Sequence, residues 1–327
     1  MTTYIQDLNF PITGSFQYRN VSWIKIAPSG TELYVLQRGA PAVSVWDLKG
    51  NHLRDWQTEA LGCPHSLSFQ VINSEAYYVW ITDMAPPLTA GSYCGHCLKQ
   101  FDMRGNYLGS IGTCGIDTQG TGLSPVQFDK VTDIAFDSQG YLWVSDGDIN
   151  GLNNRVLQIN PFTQEVVQVW SAPNNSWGNG PKEFHLPHAL AIDIYDRVWI
   201  ADALNSRVQV ISTDGEFLQE LKCFGSDGVY GIKICNLPGT ELPQLFVSTS
   251  PTASPTGGAI KVFEVAPYDL PVPQGCITEF QWNIDLPMGT SEAMLHMIET
   301  DSQGEQVFLA TLGGDLPPQK WMKVYTS

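Results

Sequence analysis

The chain has 327 residues, of which 43% are hydrophobic and only 15% are charged. This composition supports a large buried core and excludes a disordered chain, which is rich in charge and poor in apolar residues. The 33 acidic and 17 basic residues give a formal net charge of −16, which repels nucleic acid and anionic membranes, and no stretch approaches the roughly eighteen apolar residues of a membrane span. We therefore expect neither nucleic acid nor a membrane as a partner.

Six segments along the chain share the pattern of an apolar, aromatic-rich β-strand. In chain order they are Tyr34–Arg38, Val79–Asp83, Leu142–Asp146, Val198–Asp202, Leu245–Thr249 and Val307–Thr311. The third and sixth follow an identical Asp-Ser-Gln-Gly tetrapeptide, at Asp137–Gly140 and Asp301–Gly304, which is a turn signal between two strands. A repeat of roughly 40 to 60 residues is typical of propeller blades. The sequence predicts an all-β, six-bladed β-propeller.

The predicted blades form a single domain over residues 1–327. They cover approximately residues 22–57, 63–112, 128–170, 184–222, 229–281 and 291–327. The C-terminal end supplies only a third strand for the last blade, Trp321–Tyr325. We therefore expect an N-terminal strand at residues 12–18 to complete that blade and close the ring, which leaves no open sheet edge.

One position of the innermost strand corresponds in all repeats when they are aligned on the Asp-Ser-Gln-Gly turn. These positions are Ser22, His65, Thr132, His188, Tyr230 and His296. Because the histidines fall on alternate blades, we expect them to point into the channel around a common point. Three protein ligands leave a position open for substrate, as in catalytic zinc sites. We predict a metal ion at His65, His188 and His296, with zinc expected and copper or iron as alternatives. Ser22 and Thr132 are predicted to line the substrate pocket.

The chain also carries the signature of an NHL repeat, in residues 183–193 and 198–210. In detail it resembles peptidyl-α-hydroxyglycine α-amidating lyase over roughly residue 37 to the C-terminus. The matching motifs are Pro64–Leu67, Pro187–Leu190 and Met294–His296. The resemblance implies zinc on the three histidines, Met294 beside the site, and Arg38 as the residue that grips the carboxylate and hydroxyl region of the substrate. A guanidinium fork suits that task, although Arg38 could equally form a structural ion pair at the rim.

Two departures from the family affect its chemistry. Asp148 stands where the family has the tyrosine that is its presumed base, so Tyr230 or Asp148 must supply a base here. Met297 replaces an aspartate that the family associates with calcium, which removes a hard oxygen ligand and puts the calcium site in doubt. We count Met297 among the pocket residues.

Two further patterns are assigned structural roles. Asp83, Asp146 and Asp202 recur at the end of the second strand and are predicted to accept hydrogen bonds from turns. Cys94 and Cys97 form a C-x-x-C that, with Cys114, could hold a metal or form a disulfide, but we expect unpaired thiols. The odd total of seven cysteines and a start without a leader pattern favour the cytoplasm.

The function that these residues predict is a metal-dependent lyase, which cleaves a C–N or C–O bond of a small polar or peptide substrate. Arg38, Tyr230 and Asp148 are the candidate catalytic residues. A metal-dependent hydrolase of the lactonase or amidohydrolase type would use the same residues. A non-catalytic propeller that serves as a binding scaffold is the third reading, because the fold alone is compatible with all of them.

Overall fold

The computed structural model describes residues 2–12, 14–73, 77–84, 95–115, 119–235, 242–252, 256–267, 275, 278–282 and 293–325. Within these ranges nearly all regular structure is β-strand, with two short 3-10 helices, Pro173–Asn175 and Ala203–Asn205. The all-β propeller prediction is confirmed. No helix in these ranges has the length and apolar character that a membrane crossing requires.

Four blades are separate four-stranded sheets, in which each strand pairs antiparallel with the next along the chain. After an N-terminal strand, β1 (Thr2–Gln6), these blades contain β2 (Val21–Ile26), β3 (Glu32–Gln37), β4 (Val43–Asp47) and β5 (His52–Asp55); β6 (Pro64–Val71), β7 (Tyr77–Asp83), β8 (Cys97–Phe101) and β9 (Tyr107–Ile111); β10 (Val131–Phe136), β11 (Leu142–Asp146), β12 (Arg155–Ile159) and β13 (Val166–Ser171); β14 (Pro187–Ile192), β15 (Arg197–Asp202), β16 (Arg207–Ser212) and β17 (Phe217–Leu221).

The remaining strands form one eight-stranded sheet with the order β1-β24-β23-β22-β20-β19-β18, in which β21 pairs with β20. They are β18 (Asp227–Cys235), β19 (Gln244–Pro251), β20 (Thr256–Glu264), β21 (Thr278–Trp282), β22 (Ala293–Thr300), β23 (Gln306–Leu312) and β24 (Gln319–Tyr325). A short parallel pairing of residues 256–257 with residues 293–294 joins β20 to β22 and makes the sheet continuous.

The prediction of six blades is therefore wrong. The structure has four four-stranded blades, and the strands assigned to a fifth and a sixth blade belong to a single sheet. The repeat pattern reports strands and turns within one unit. It carries no signal for hydrogen bonds between the edge of one unit and the inner strand of the next, which depend on how the intervening chain brings them together.

The N-terminal closing strand is also displaced from its predicted position. β1 pairs antiparallel with β24, from Thr2 opposite Tyr325 to Gln6 opposite Trp321, whereas no strand occurs in the described part of 12–18. That segment instead packs aromatic rings on the first blade: Phe16 lies 5.0 Å from Trp46 between ring centroids. Aromatic burial against the blade thus takes the place of ladder hydrogen bonds in this segment.

Aspartates in the repeated turns fix the position of the strand that follows each turn. Asp137 accepts hydrogen bonds from the backbone N–H of Tyr141 and from the indole of the buried Trp143, each at 2.9 Å. Asp193 accepts from the indole of the buried Trp199 at 2.9 Å in the next blade. One carboxylate therefore closes the turn and fixes a core side chain of the following strand.

The innermost strands β2, β6, β10, β14, β18 and β22 contact their neighbours in a closed ring. The ring surrounds a central channel, and the residues that the sequence aligned at one register lie near the first residues of these strands. The proximal end of the channel is the end at which these six strands begin, and the distal end is the end at which they finish.

Candidate metal centre

Irregular pairing positions the three candidate ligands. In β6, β14 and β22 the register with the next strand shifts at His65, His188 and His296 respectively. A residue at a bulge has no direct partner opposite it, so its side chain can be aimed out of the regular alternation. The structure brings all three imidazoles together, buried in the channel.

The other ring nitrogen of each histidine is fixed by the backbone. The Nδ1 atoms lie 2.7 Å from Thr132 O for His65, 2.8 Å from Tyr230 O for His188 and 2.7 Å from Ser22 O for His296. Because a carbonyl oxygen can only accept, Nδ1 is the donor and carries the proton. In the neutral ring the lone pair is then on Nε2.

The Nε2 atoms meet at one place. One ligand atom from each ring lies within 4.8 Å of the others, and Nε2 of His188 lies 3.0 Å from Nε2 of His296. Nε2 of His65 is buried and has no hydrogen-bond partner among the described residues. When each Nδ1 carries the proton, the facing lone pairs repel one another, and a shared cation removes that repulsion. The residues therefore fit an ion that prefers imidazole, such as zinc.

Electrostatics keep these rings in the ligand form. Burial lowers the pKa of His65 and His296 well below the usual value, and neighbouring imidazoles and Arg38 lower them further. Burial also lowers the pKa of His188, although the carboxylate of Asp148 opposes this effect. Neutral imidazoles with free Nε2 lone pairs are the state that a metal ion requires.

Trp23 closes the channel on the distal side of the histidines. Its fully buried ring has centroid distances of 5.8 Å to His65, 6.4 Å to His188 and 6.2 Å to His296, so it lies close to the channel axis. Sequence reasoning missed this residue. Trp23 directly follows Ser22, the aligned ring residue. Regular strand alternation predicts that its side chain points away from the channel, so the sequence pattern did not indicate it.

Arg38 and Asp148 lie on the proximal side. Arg38 follows β3, and its Nε and Nη2 atoms are buried without a hydrogen-bond partner among the described residues. A cavity of about 590 Å³ borders Arg38 and reaches Gly62 and Pro64, next to His65. The Asp148 carboxylate lies 4.0 Å from His65 Nε2 and is partly exposed. Both charged groups are thus next to the histidines on the side away from Trp23.

Tyr230, the other candidate base, packs edge-on against His188 with ring centroids 5.2 Å apart. Burial and then the nearby Asp148 carboxylate raise its pKa. The structure therefore brings Arg38, Asp148 and Tyr230 to the three-histidine site.

The four residues predicted to line the pocket have different positions. Ser22 and Thr132 are buried, and their hydroxyls donate to Pro64 O at 3.0 Å and to Pro187 O at 2.6 Å. Met294 is partly buried against an apolar cluster that includes Tyr230. Met297 is buried in the main apolar core, and its assignment to the pocket stays a prediction.

The recurring aspartates hold the loops that lead into the histidine strands. Asp83 accepts from the backbone N–H of Cys63 at 2.7 Å, and Asp202 accepts from that of His185 at 2.7 Å. Each is also paired with a buried cation from the third strand: Lys99, Arg155 and Arg207 serve Asp83, Asp146 and Asp202. The role predicted for these aspartates as acceptors agrees with these contacts, but their cationic partners were missed because their spacing from the aspartates varies between repeats.

Two of the three cysteines that were expected to be unpaired are not free thiols. Cys97 and Cys114 form a disulfide, which corrects the expectation of free thiols at this position. Cys94 lies outside the described residues, so its part of the C-x-x-C pattern is not settled by the fold.

Comparison with curated proteins identifies the family. NHL repeat-containing protein 3 of Mus musculus is 30% identical to the chain over 291 residues, which cover 86% of the chain and 73% of the mouse protein. The chain belongs to the family of NHL repeat-containing protein 3. The human protein of that name is 28% identical over 293 residues, with the same coverage. The NHL repeat predicted from the sequence is confirmed, although no protein-family model matches the chain.

The resemblance to an amidating lyase covers a shorter part of the chain than the match to NHL repeat-containing protein 3. A probable peptidyl-alpha-hydroxyglycine alpha-amidating lyase of Caenorhabditis elegans is 34% identical over 92 residues, which are 28% of this NHL repeat-containing chain and 25% of that protein. This match supports the likeness seen in the motifs over part of the chain.

Solved structures share the fold of this NHL repeat-containing chain at low sequence identity. A catalytically inactive virginiamycin B lyase from Staphylococcus aureus, solved with quinupristin, has a TM-score of 0.54 at 14% identity and covers 98% of this chain and 99% of its own. A protein of unknown function from Bacteroides thetaiotaomicron has a TM-score of 0.56 at 14% identity, over 99% of this chain and 77% of its own. These likenesses establish the propeller fold alone.

Proposed function

We propose that the chain is a metal-dependent lyase that binds zinc at His65, His188 and His296 and cleaves a C–N or C–O bond in a small, carboxylate-bearing substrate. One observation carries the proposal. Three neutral imidazoles direct their Nε2 atoms to one point, beside the Arg38 guanidinium, whose Nε and Nη2 are unpartnered among the described residues. When bound, zinc would supply a Lewis acid that polarises an oxygen of the substrate.

Substrate binding is assigned to Arg38. A buried guanidinium without a hydrogen-bond acceptor at Nε and Nη2 is costly, and a substrate carboxylate that bonds to these atoms removes the cost. The adjoining cavity of about 590 Å³ has the size of a small-molecule site. Arg38 therefore positions the substrate so that its reacting end lies at the histidines.

Proton transfer is assigned to Asp148. Its carboxylate lies 4.0 Å from His65 Nε2, on the same side of the histidines as Arg38. With an α-hydroxyglycine substrate, Asp148 takes the hydroxyl proton as the C=O bond forms and the C–N bond breaks. The electron pair stays on the nitrogen, which gains a proton, so the products are an amide and glyoxylate. Tyr230 borders the same space and limits the size of the substrate.

Metal analysis of the purified chain tests the first part of the proposal. We expect about one zinc per chain, and loss of that zinc in His188→Ala. His52→Ala is the matched control, because His52 lies in β5 and pairs with Asp55 away from the channel. Zinc absent from the wild type, or retained equally in both variants, would overturn the proposal and favour a scaffold. Copper or iron in place of zinc would correct the identity of the metal.

A substrate panel tests the reaction. It includes an α-hydroxyglycine, a ureidoglycolate-like compound and a lactone, each assayed with the zinc-loaded protein. Cleavage without water yields an amide and glyoxylate, whereas hydrolysis in ¹⁸O-labelled water yields a carboxylic acid that carries the label. We expect Asp148→Asn to lower kcat by at least about 100-fold while the zinc content is unchanged. A fully active Asp148→Asn variant would remove Asp148 from the mechanism.

A further inference from the structure

The loop that follows β11 carries Asp148 at the proximal end of the channel. This loop closes on itself, because Gly151 N donates to Asp148 O at 2.9 Å. Ile149 N donates to Asp148 Oδ1 at 2.6 Å, whereas Asp148 Oδ2 lies 4.0 Å from His65 Nε2. The loop thus holds one oxygen of the carboxylate, and the other oxygen faces the histidines. The direction of this carboxylate therefore depends on the conformation of residues 148–152.

Lys130, the residue before β10, holds the first half of the loop. Its carbonyl oxygen accepts from Gly147 N at 3.3 Å and from Asp148 N at 3.2 Å. Its Nζ atom donates to Ile149 O at 2.6 Å. These contacts fix the start of the loop and the residue whose amide binds Asp148 Oδ1.

Asp129 holds the second half of the loop. Its Oδ2 atom accepts from Leu152 N at 2.5 Å. The two groups fit closely, since a Cβ atom on Gly151 would lie 2.9 Å from Asp148 O and 3.4 Å from Asp129 Oδ2. The side chain of Leu152 is 54% exposed, so side-chain packing contributes little to its position. The hydrogen bond to Asp129 is therefore the contact that fixes the loop at Leu152.

Asp129 is itself fixed within the third blade. It is buried, its backbone N–H donates to Asp146 Oδ1 at 2.9 Å, and its Oδ1 atom lies 3.5 Å from His96 Nδ1. Asp146 also accepts from the side chain of Asn153, the residue after Leu152, at 2.8 Å. The end of the loop is thus attached to the blade independently of Asp129. Loss of the Asp129 carboxylate should release the middle of the loop and leave both of its ends in place.

We propose that Asp129 is a positioning residue, which orients the Asp148 carboxylate toward the histidines through its hydrogen bond to Leu152 N. The inference rests on the proposed function, in which Asp148 takes the proton. Asp129 acts on the loop backbone and not on the substrate. When its acceptor is removed, the loop samples conformations in which Asp148 Oδ2 is turned away from His65, and each of these conformations is inactive in proton transfer.

Steady-state kinetics of the zinc-loaded full chain test the proposal. Asp129→Ala should lower kcat about tenfold while KM and the zinc content change less than about twofold, because the substrate and metal contacts are retained. Asp129→Asn keeps an oxygen that can accept from Leu152 N, so it should retain at least about half of the wild-type kcat. Should Asp129→Ala not fold, Asp129→Ser replaces it with the same expected loss.

Asp137→Ala is the matched control. Asp137 is also buried and also accepts from backbone N–H groups, those of Gln139 and Tyr141, but it lies at the other end of β10. Its kcat should stay within about twofold of the wild type. An equal loss of kcat in Asp137→Ala and Asp129→Ala would overturn the proposal, because the loss would then reflect a weakened blade.

A double variant separates this inference from the proposed function. In the Asp148→Asn background, Asp129→Ala should lower kcat by less than about twofold, since no carboxylate remains to be oriented. The same loss in both backgrounds would overturn the positioning role. A fully active Asp148→Asn variant contradicts the proposed function, whereas an impaired Asp148→Asn with a fully active Asp129→Ala contradicts only this inference.

Amide hydrogen exchange provides a readout that needs no substrate. The Leu152 amide should exchange about tenfold faster in Asp129→Ala than in the wild type, while the amides of β10 and β11 keep their protection. Unchanged exchange at Leu152 would overturn the proposal, whichever compounds the protein cleaves.

Discussion

Asp202→Asn is predicted to lower both the stability of the fold and the affinity of the site at His188 for zinc. Asp202 accepts hydrogen bonds from Arg207 Nε and from His185 N, each at 2.7 Å. The first contact neutralises a buried guanidinium, and the second ties down the loop that leads into β14. An asparagine keeps the size of the side chain, but it removes the charge and places an N–H₂ donor against existing donors.

The magnitude follows from what remains around Arg207. Breaking a buried ion pair by removing one partner costs about 3 to 5 kcal/mol. Arg207 retains Glu220 at 2.9 Å and three backbone carbonyls as acceptors, so we expect the lower end, a loss of about 3 kcal/mol in the free energy of unfolding. Loss of a group that orients a metal ligand typically weakens metal binding by about 10- to 100-fold, and we expect about tenfold for zinc.

Asp193→Asn in the same blade is the matched control. Asp193 is also buried and paired with an arginine, Arg197, at 2.6 Å, but it follows the end of β14 that is remote from His188. Guanidinium denaturation should give a comparable loss of stability for both variants, whereas zinc titration should show a tenfold loss for Asp202→Asn only. Equal effects of both variants on zinc affinity would refute the reasoning, because the loss would then reflect general destabilisation.

Three further predictions concern other parts of the fold. Burial raises the pKa of Asp133 from 3.8 to about 7. The folded state therefore favours the protonated carboxyl, and the stability that this group contributes is complete below pH 3.8 and is lost as the pH rises through 7. Between pH 5 and pH 8, the free energy of unfolding of Asp133→Asn should rise by about 3 kcal/mol relative to that of the wild type in denaturation curves. Reduction of the Cys97–Cys114 disulfide, which spans 17 residues, should lower the free energy of unfolding by about 3 kcal/mol, with a Cys97→Ser, Cys114→Ser double variant insensitive to reductant. Trp23→Ala should cost about 3 to 5 kcal/mol and speed the removal of zinc by a chelator, whereas Trp23→Phe should affect both less; an unchanged chelation rate in Trp23→Ala would contradict the assignment of Trp23 as a barrier.

The ring register was accessible from the sequence because it depends on local periodicity. His65, His188 and His296 share one position relative to a turn whose aspartate fixes the following strand, as Asp137 does for Trp143. Any feature set within one repeat, such as a turn, a strand or a bulge, recurs with the repeat. This is why the sequence pattern alone predicts that the three histidines lie together.

Features that join distant segments were not accessible in this way. The pairing of residues 256–257 with 293–294 and that of β1 with β24 depend on where loops carry the chain. The cations that neutralise Asp83, Asp146 and Asp202 come from strand positions at different distances along the sequence. None of these features has a fixed spacing that a repeat pattern could report.

The indole beneath the histidines makes the proximal end a blind cup, not a tunnel. A polymer could pass through an open channel and be cut internally, but a cup admits only the end of a molecule. In the proposed reaction, substrate and products would use the same opening, so a product would have to leave before the next substrate enters. The proposed activity would therefore act on small molecules or on the ends of longer ones.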